Sequence, residues 1–467
     1  MAVAAQPERR YWFQEEVLEM NGDLISLLSP LTEKGVRLGA DEVEIFAERR
    51  IEKSINIEAT SLKSATGSMT EGVGIRVLRK RALGFASLNS LQDEKIVNAL
   101  EKAVSIAKCT PPVDHYTFAS PQSLSPIKGV YDKALANLTM EDILEYADIL
   151  INATRNFDER ISIDMSTLQA ISHERAIVTS KGISATDTKS LLQWFLYGMA
   201  VDGDDIGSFD GVLGSVVKKT DIDFEATAKE FGVKVIRNLG ATKAEGLDGP
   251  AIISPDALTD LLRVLISSAS ANQIQDGSSC LADRLGEEVA TPNLSLIDDG
   301  TKANEVGSES FDREGVPHKL HSVIEKGIFK GIFYDVFTAN KDGFSSTGHG
   351  SGSFRQVPVI SYTNIEVKEG STTLDNMVSD IKRGLLIPRI SSFPNTVSGD
   401  FAGPIKGAQL IENGEIIRTL KEIQVTGNVF ELLKNITSIS KERDAIRFEG
   451  KTNLVPSVCV DGLKFSV

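Results

Sequence analysis

Five histidines, His115, His173, His318, His321 and His349, are the side chains of this sequence best suited to hold a metal ion, and only two lie close together. A metal-dependent peptidase usually needs two histidines and a third ligand around an open coordination position, with a carboxylate to take the proton of the bound water. His318-x-x-His321 would place both rings on one face of a helix. The flanking VPHKLHSVIEKG alternates instead, and a strand sets the two rings on opposite faces. His173-Glu174 opens a metallopeptidase helix pattern but lacks its later positions. His349 sits in STGHGSGSF, where glycines permit a tight loop whose N–H groups can meet a peptide main chain or a carboxylate. That loop lacks the strand, lysine and helix of a phosphate-binding loop.

The other reactive residues read more plainly. Cys109, Cys280 and Cys459 are far apart and form no disulfide framework, which points to a reducing compartment. Cys280 would be a reactive thiol only beside a cation that lowers its pKa; before leucine it reads as a small buried residue. Asp298-Asp299 could bind a cation, or could end the Leu294–Ile297 run as a turn. Ser254 caps a helix that starts at Pro255, and Leu258, Leu261, Leu262, Leu265 and Ile266 form its apolar stripe. Arg263, Ser267 and Ser268 on this helix offer no metal ligand and no neighbouring base, so its reading is structural.

The elements that must position these residues follow from periodicity. Alternation marks strands at Val43–Ala47, Ile51–Ile57, Val73–Val77, Leu83–Phe85, Ile161–Met165, Ala176–Thr179 and Leu191–Val201, with Arg79-Lys80-Arg81 at a hairpin tip. Helical spacing covers about Asp23 to Lys34 and Ile96 to Ala107, stopped by Pro111 and Pro112, and a helix capped by Thr139 and Asp142. Lys218–Gly246 reads as a helix and exit linker. Beyond it come strands within Ile328–Phe337, at Val357–Ile360 and Asn364–Val367, and a hairpin around Asn413-Gly414. The fold class is therefore α+β. Residues 1–22 form an arm, 23–245 a domain with helices packed on a largely antiparallel sheet, and 246–467 a curved, partly closed β-rich sheet with one or two helices.

Composition narrows the function. At 467 residues, 41% apolar and 25% charged, the chain can bury a full core as an ordinary soluble protein. A net charge of −15 argues against broad nucleic-acid binding, which requires clustered Lys and Arg. The start of the chain lacks the apolar region of a secretory signal, and no run approaches the length of a membrane span. A cytoplasmic protein is expected.

Four segments carry a resemblance: SPDALTDLLRVLISSASANQIQDGSSCLADRLGEEVATPNLSLIDDG, FDREGVP, STGHGSGSF and SGDFAGPIKGAQLIENGEIIRTLKEIQVTGNVFELLKNI. Their order and spacing, from about residue 24 to the end, resemble the TldD/PmbA family, once called modulators of DNA gyrase. In that family the TldD-type subunit carries a zinc-binding HExxxH helix and a distant cysteine ligand, and the PmbA or TldE type lacks them. The pair forms a heterodimeric cytoplasmic metallopeptidase that degrades unfolded or small peptides and matures some peptide natural products.

The resemblance implies that the catalytic pattern falls approximately on Arg263, Val264 and Ser268, none of which can serve it. Cys459 lies several residues past the expected ligand position, so that role is not carried to it. The implied chain has no catalytic residue and no cofactor of its own; a TldD-type partner supplies zinc. Gly348, His349, Gly350 and Gly352 are then the wall or contact residues for a peptide or unfolded polypeptide, and a homodimer is the alternative without the partner. Two other readings stand beside this one. One is a self-sufficient metallopeptidase using His318, His321 or His349 with a carboxylate from another segment; the other is a regulatory or scaffold protein, linked to gyrase by the old family name.

Overall fold

The computed structural model describes residues 23–244, 249–392 and 394–467; the arm at 1–22 and the boundary at 245/246 fall outside the described residues. The first half is one antiparallel seven-stranded sheet. In space its order is Ala82–Leu88, Ser61–Arg79, Glu42–Glu58, Ile161–Thr179 and Ser184–Asp202, with Asp205–Ile206 and Asp210–Val216 both pairing the last of these. The turn at Lys80-Arg81 has positive φ at both residues, 49° and 65°, the geometry of a tight hairpin.

Several expected short strands are ends of long ones. Val43–Ala47 and Ile51–Ile57 belong to the single strand Glu42–Glu58, and Ile161–Met165 and Ala176–Thr179 to Ile161–Thr179. The apolar pattern breaks at Arg49 because that side chain is buried against carboxylates, with Glu174 at 3.4 Å and Glu71 at 3.8 Å. Alternation along Glu42–Glu58 divides two environments. Val43, Ile45, Ala47, Ile55 and Ile57 pack beneath the helices Leu24–Arg37, Asp93–Cys109, Met140–Phe157 and Phe224–Ile236. Phe46, on the opposite face, packs against Phe311, Val316, Val336 and Phe354 of the second half. The sheet is thus covered on both sides. The expected capping box is present: the Asp142 N–H donates to the Thr139 hydroxyl, and the Thr139 N–H to the Asp142 carboxylate.

The second half is an eleven-stranded mixed sheet that curls around the helix Pro255–Ser268, whose Ala257, Leu258, Leu261, Leu262 and Leu265 lie in its main core. Its edge strand, Thr242–Lys243, comes from the segment expected to be an exit linker and pairs in parallel with Leu420–Lys421. A four-stranded sheet, formed by Arg389–Ile390, Asp400–Lys406, Gln424–Asn428 and Lys464–Ser466, lies beside it in the chain's course. Asn413 and Gly414 adopt φ of 53° and 83° between Ala408–Glu412 and Glu415–Lys421, as the dipeptide predicts.

Two expectations for this half need correction. Strand structure does not persist through Phe337: it ends at Phe329, and Asp335 caps the helix Val336–Asp342 by accepting from the Thr338 N–H at 2.8 Å. Five helices, rather than one or two, occur here among the described residues. The extra four are seven residues or shorter and fall below the length at which periodicity identifies a helix.

Candidate functional site

The loop FDREGVP holds the two halves together. Arg76 of the first sheet donates through Nε to Glu44 at 2.8 Å and through Nη2 to Glu314 of the loop at 3.0 Å, while Arg313 donates to Glu44 at 2.9 Å. All four side chains are essentially inaccessible. Asp312 turns the loop back on itself by accepting from the N–H groups of Glu314 and Val316, and it also accepts from Gly350 at 2.8 Å. STGHGSGSF is therefore anchored to the loop that locks the halves.

Between the sheets lies a cavity of about 400 Å³. The first sheet contributes Arg50, His173, Lys189 and Gln193, and the second half contributes Glu309, His318, Gly350, Ser361, Tyr362 and Lys451. The balance of charge is uneven around it. Burial raises the Glu309 carboxyl, but Arg175 at 2.7 Å, His318 and Lys189 together outweigh it and hold the group ionised, well below its usual range. Burial pushes the ammonium groups of Lys189 and Lys451 down. Lys451 donates to the Ser361 hydroxyl at 2.6 Å and stands 4.1 Å from the centre of the Tyr362 ring.

A second recess, of about 230 Å³, adjoins the first through Ser361 and Tyr362. Its lining includes Arg263, Ile266, Ser267 and Ser270 from the helix and its end, together with Phe333 and Ile360. Arg263 and Ser267, one helical turn apart, are the polar side chains that the helix turns to the recess, beside Ile266. Val264 and Ser268 turn into the core, where Ser268 donates to the Thr396 carbonyl at 3.3 Å. Of Arg263, Val264 and Ser268, Arg263 alone reaches open space. At the cap of this helix Ser254 is in place, but its hydroxyl donates to the Pro388 carbonyl instead.

The glycine loop divides in the same way. Gly350 lines the larger cavity; His349 is 1% exposed and cannot touch a ligand as it stands. Its Nε2 lies 2.9 Å from Asp298 and its Nδ1 2.7 Å from the Thr347 hydroxyl. Gly348 and Gly352 supply positive φ of 77° and 121°, which shape the loop. Asp298 is a buried acceptor rather than a turn signal.

His318, His321 and His349 converge, contrary to the opposite-face argument. The strand is Leu320–Glu325, so His318 lies before it and is free of its alternation. The His321 and His318 rings lie 5.3 and 6.5 Å from that of His349. Both nitrogens of His349 are already engaged, and among the described residues no group of three His, Cys, Asp or Glu side chains is arranged to hold a metal. Burial, followed by the nearness of His349, holds the His321 imidazole down at about 4. Below about pH 6.5 the unfolded chain binds a proton that the folded chain refuses, so stability should be lost as pH falls from 6.5 through 4, by about 3 kcal/mol at most. Urea unfolding across that range, with His321→Gln flattening the profile, checks it.

The remaining candidates stand apart from the three converging histidines. His115 is exposed, while His173 lines the cavity and pairs with Glu48 at 3.2 Å. Cys109 is exposed; Cys280 contacts the Ser268 hydroxyl at 3.5 Å; Cys459 is buried in Lys451–Val460, where burial raises its thiol. Sequence reasoning missed Lys189, Tyr362 and Lys451. A signal for Lys451 was available in Glu449-Gly450, a turn dipeptide between two strands.

Two sheets enclosing a polar cavity, with a buried helix at its side, define an α+β protein built around an inter-sheet binding cleft. Models of PmbA/TldA metallopeptidase domain 1, central domain and C-terminal domain match residues 43–107, 133–239 and 248–467. An uncharacterized Methanocaldococcus jannaschii protein is 28% identical over 86% of this chain and 93% of its own length. From Haemophilus influenzae, a metalloprotease TldD homolog is 24% identical over 86% of each chain, and a metalloprotease PmbA homolog is 24% identical over 95% and 96%. The crystal structure of TldE from Thermococcus kodakarensis superposes with a TM-score of 0.88 at 23% identity, covering 94% of this chain and all of that one. The chain belongs to the PmbA/TldD family. Among the described residues no helix is long and apolar enough to cross a membrane.

Proposed function

We propose that this chain is the TldE/PmbA-type, non-catalytic subunit of a heterodimeric cytoplasmic zinc metallopeptidase acting on peptides. The observation carrying this reading is the face that the helix Pro255–Ser268 turns to the recess: Arg263 and Ser267, a cation and a hydroxyl. A guanidinium cannot ligate zinc, and neither side chain is a base able to activate water. The donor set does not fit zinc, and no step on this chain runs through a metal. Its own part is to form a wall of the peptide cleft. Gly350 and Ser351, paired with Ile360 and Val359, line the cavity as part of that wall, with the Gly350 N–H held by Asp312 and its carbonyl by the Arg313 N–H.

The test is purification of the chain alone and with a TldD-type partner, followed by zinc quantification and peptide hydrolysis. Less than about a tenth of an equivalent of zinc and no turnover are expected for the lone chain, with both gained on forming the complex. Stoichiometric zinc and full activity in the lone chain would refute the proposal and favour the self-sufficient reading, to which the convergence of His318, His321 and His349 lends support. Capture of gyrase, with no capture of a TldD-type chain, would favour the regulatory reading.

A further inference from the structure

We propose that Arg263 and Lys451 together bind the C-terminal carboxylate of an extended peptide whose last side chain is apolar. This deepens the reading of the chain as a peptide-holding subunit and rests on it. The two cations approach one junction from opposite sides: Lys451 lines the larger cavity, Arg263 lines the smaller recess, and Ser361 and Tyr362 belong to both.

Each cation is short of a strong partner. A two-residue turn, Glu449-Gly450 with φ of 50° and 72°, delivers Lys451 at the start of the strand Lys451–Val460. Its ammonium rests on the Ser361 hydroxyl and the Tyr362 ring; among the described residues it forms no ion pair. Arg263 is largely exposed and has only Asp260, three residues earlier on the same helix, at 3.6 Å. An exposed pair of that kind contributes little and leaves the guanidinium available. Arg263 is also close enough for its charge to push the Lys451 ammonium down, so the two repel across the junction. Asp298 and Glu449 each attract the ammonium more strongly than Arg263 repels it, and burial is what holds it down; Asp298, however, already accepts from His349 and Thr363.

A carboxylate at this junction would meet donors from both sides. The recess next to it fits the rest of the terminal residue. Its volume of about 230 Å³ suits one side chain, and Ile266, Phe333 and Ile360 provide apolar walls. The main chain that follows would run into the larger cavity, past Gly350 and Ser351 in its wall. Arg263 thus gives the helix a binding use at the position that resembles a zinc ligand in TldD-type subunits.

Binding of three synthetic pentapeptides to the full-length chain, measured by calorimetry, tests the assignment. They share a sequence ending in leucine as the free acid, the same peptide as its C-terminal amide, and an amide ending in glutamate. The free acid should bind about ten- to a hundredfold more tightly than its amide, as expected for a charge-assisted contact. Lys451→Met should remove that preference with little change for the amide, and Lys451→Arg should retain most of it. Equal affinity for acid and amide would overturn the carboxylate site while leaving the peptide reading intact. A glutamate-ended amide matching the free acid would overturn the C-terminal assignment. Failure of all three peptides to bind would overturn the peptide-holding reading itself, and the carboxylate site with it.

Discussion

Arg76→Met should lower the stability of the folded chain by about 3–5 kcal/mol, the cost of breaking a buried ion network and leaving its carboxyl groups without the guanidinium that bridges them. Glu44 would keep Arg313, at 2.9 Å, as its cationic partner, and Glu314 would lose the one guanidinium that contacts it. Neither carboxylate can reach water, because Glu44 is 0% and Glu314 2% exposed. The effect should also reach function, since Glu314 belongs to the loop that ties Gly350 to the first sheet. Urea denaturation followed by both tyrosine and tryptophan emission would measure it. A loss under 1 kcal/mol would mean that water enters the network and that the halves are not locked by it.

The same cluster sets a pH dependence whose sign can be worked out. Burial, reinforced by repulsion from Asp335 and Asp312, pushes the Glu314 carboxyl up to about 8 despite the attraction of Arg76. Between the unfolded value near 4.5 and about 8 the folded chain holds a proton that the unfolded chain releases. This contribution to stability is fully present below 4.5 and declines as pH rises through 8. Glu314→Gln, which mimics the protonated form, should flatten that limb and recover part of the Arg76→Met loss in the double variant.

The parts of the molecule legible in the sequence were those governed by local rules. Thr139 with Asp142, Asn413-Gly414, Lys80-Arg81 and the stripe of Pro255–Ser268 each carry their geometry within a few residues, and each formed as expected. Strand length was harder to read. Arg49 and Arg50 look like an interruption until the carboxylates facing the buried Arg49 are known, and those come from residues 71 and 174. The site was legible only in pieces. His349, Asp298 and the histidine pair all drew attention singly, yet their meeting depends on loops from three segments closing at the end of one strand. Glu449-Gly450 signals a turn before Lys451, but not its role, because an exposed hairpin lysine and a half-buried cavity lysine look the same in one dimension.

That meeting point supports the second large prediction. Asp298 is 0% exposed and accepts from His349 Nε2 at 2.9 Å, the Thr363 N–H at 2.9 Å and the Thr363 hydroxyl at 2.8 Å. One carboxylate therefore joins the strand Leu296–Asp299, the glycine loop and the residue preceding the strand Asn364–Val367. Asp298→Ala leaves three buried donors without this acceptor, and at about 1–3 kcal/mol for each donor left unmet the total loss should be about 3–5 kcal/mol after local relaxation. Asp298→Asn keeps the shape but can accept through only one oxygen, so it should cost less than alanine and still loosen His349. Hydrogen exchange separates this anchoring role from a general packing defect. The amides of Gly350 and Thr363 should lose protection in Asp298→Asn, while those of Glu42–Glu58, on the other sheet, should keep theirs. If protection fell evenly across both sheets, Asp298 would be a global stabiliser and not the residue that fixes the wall of the cleft.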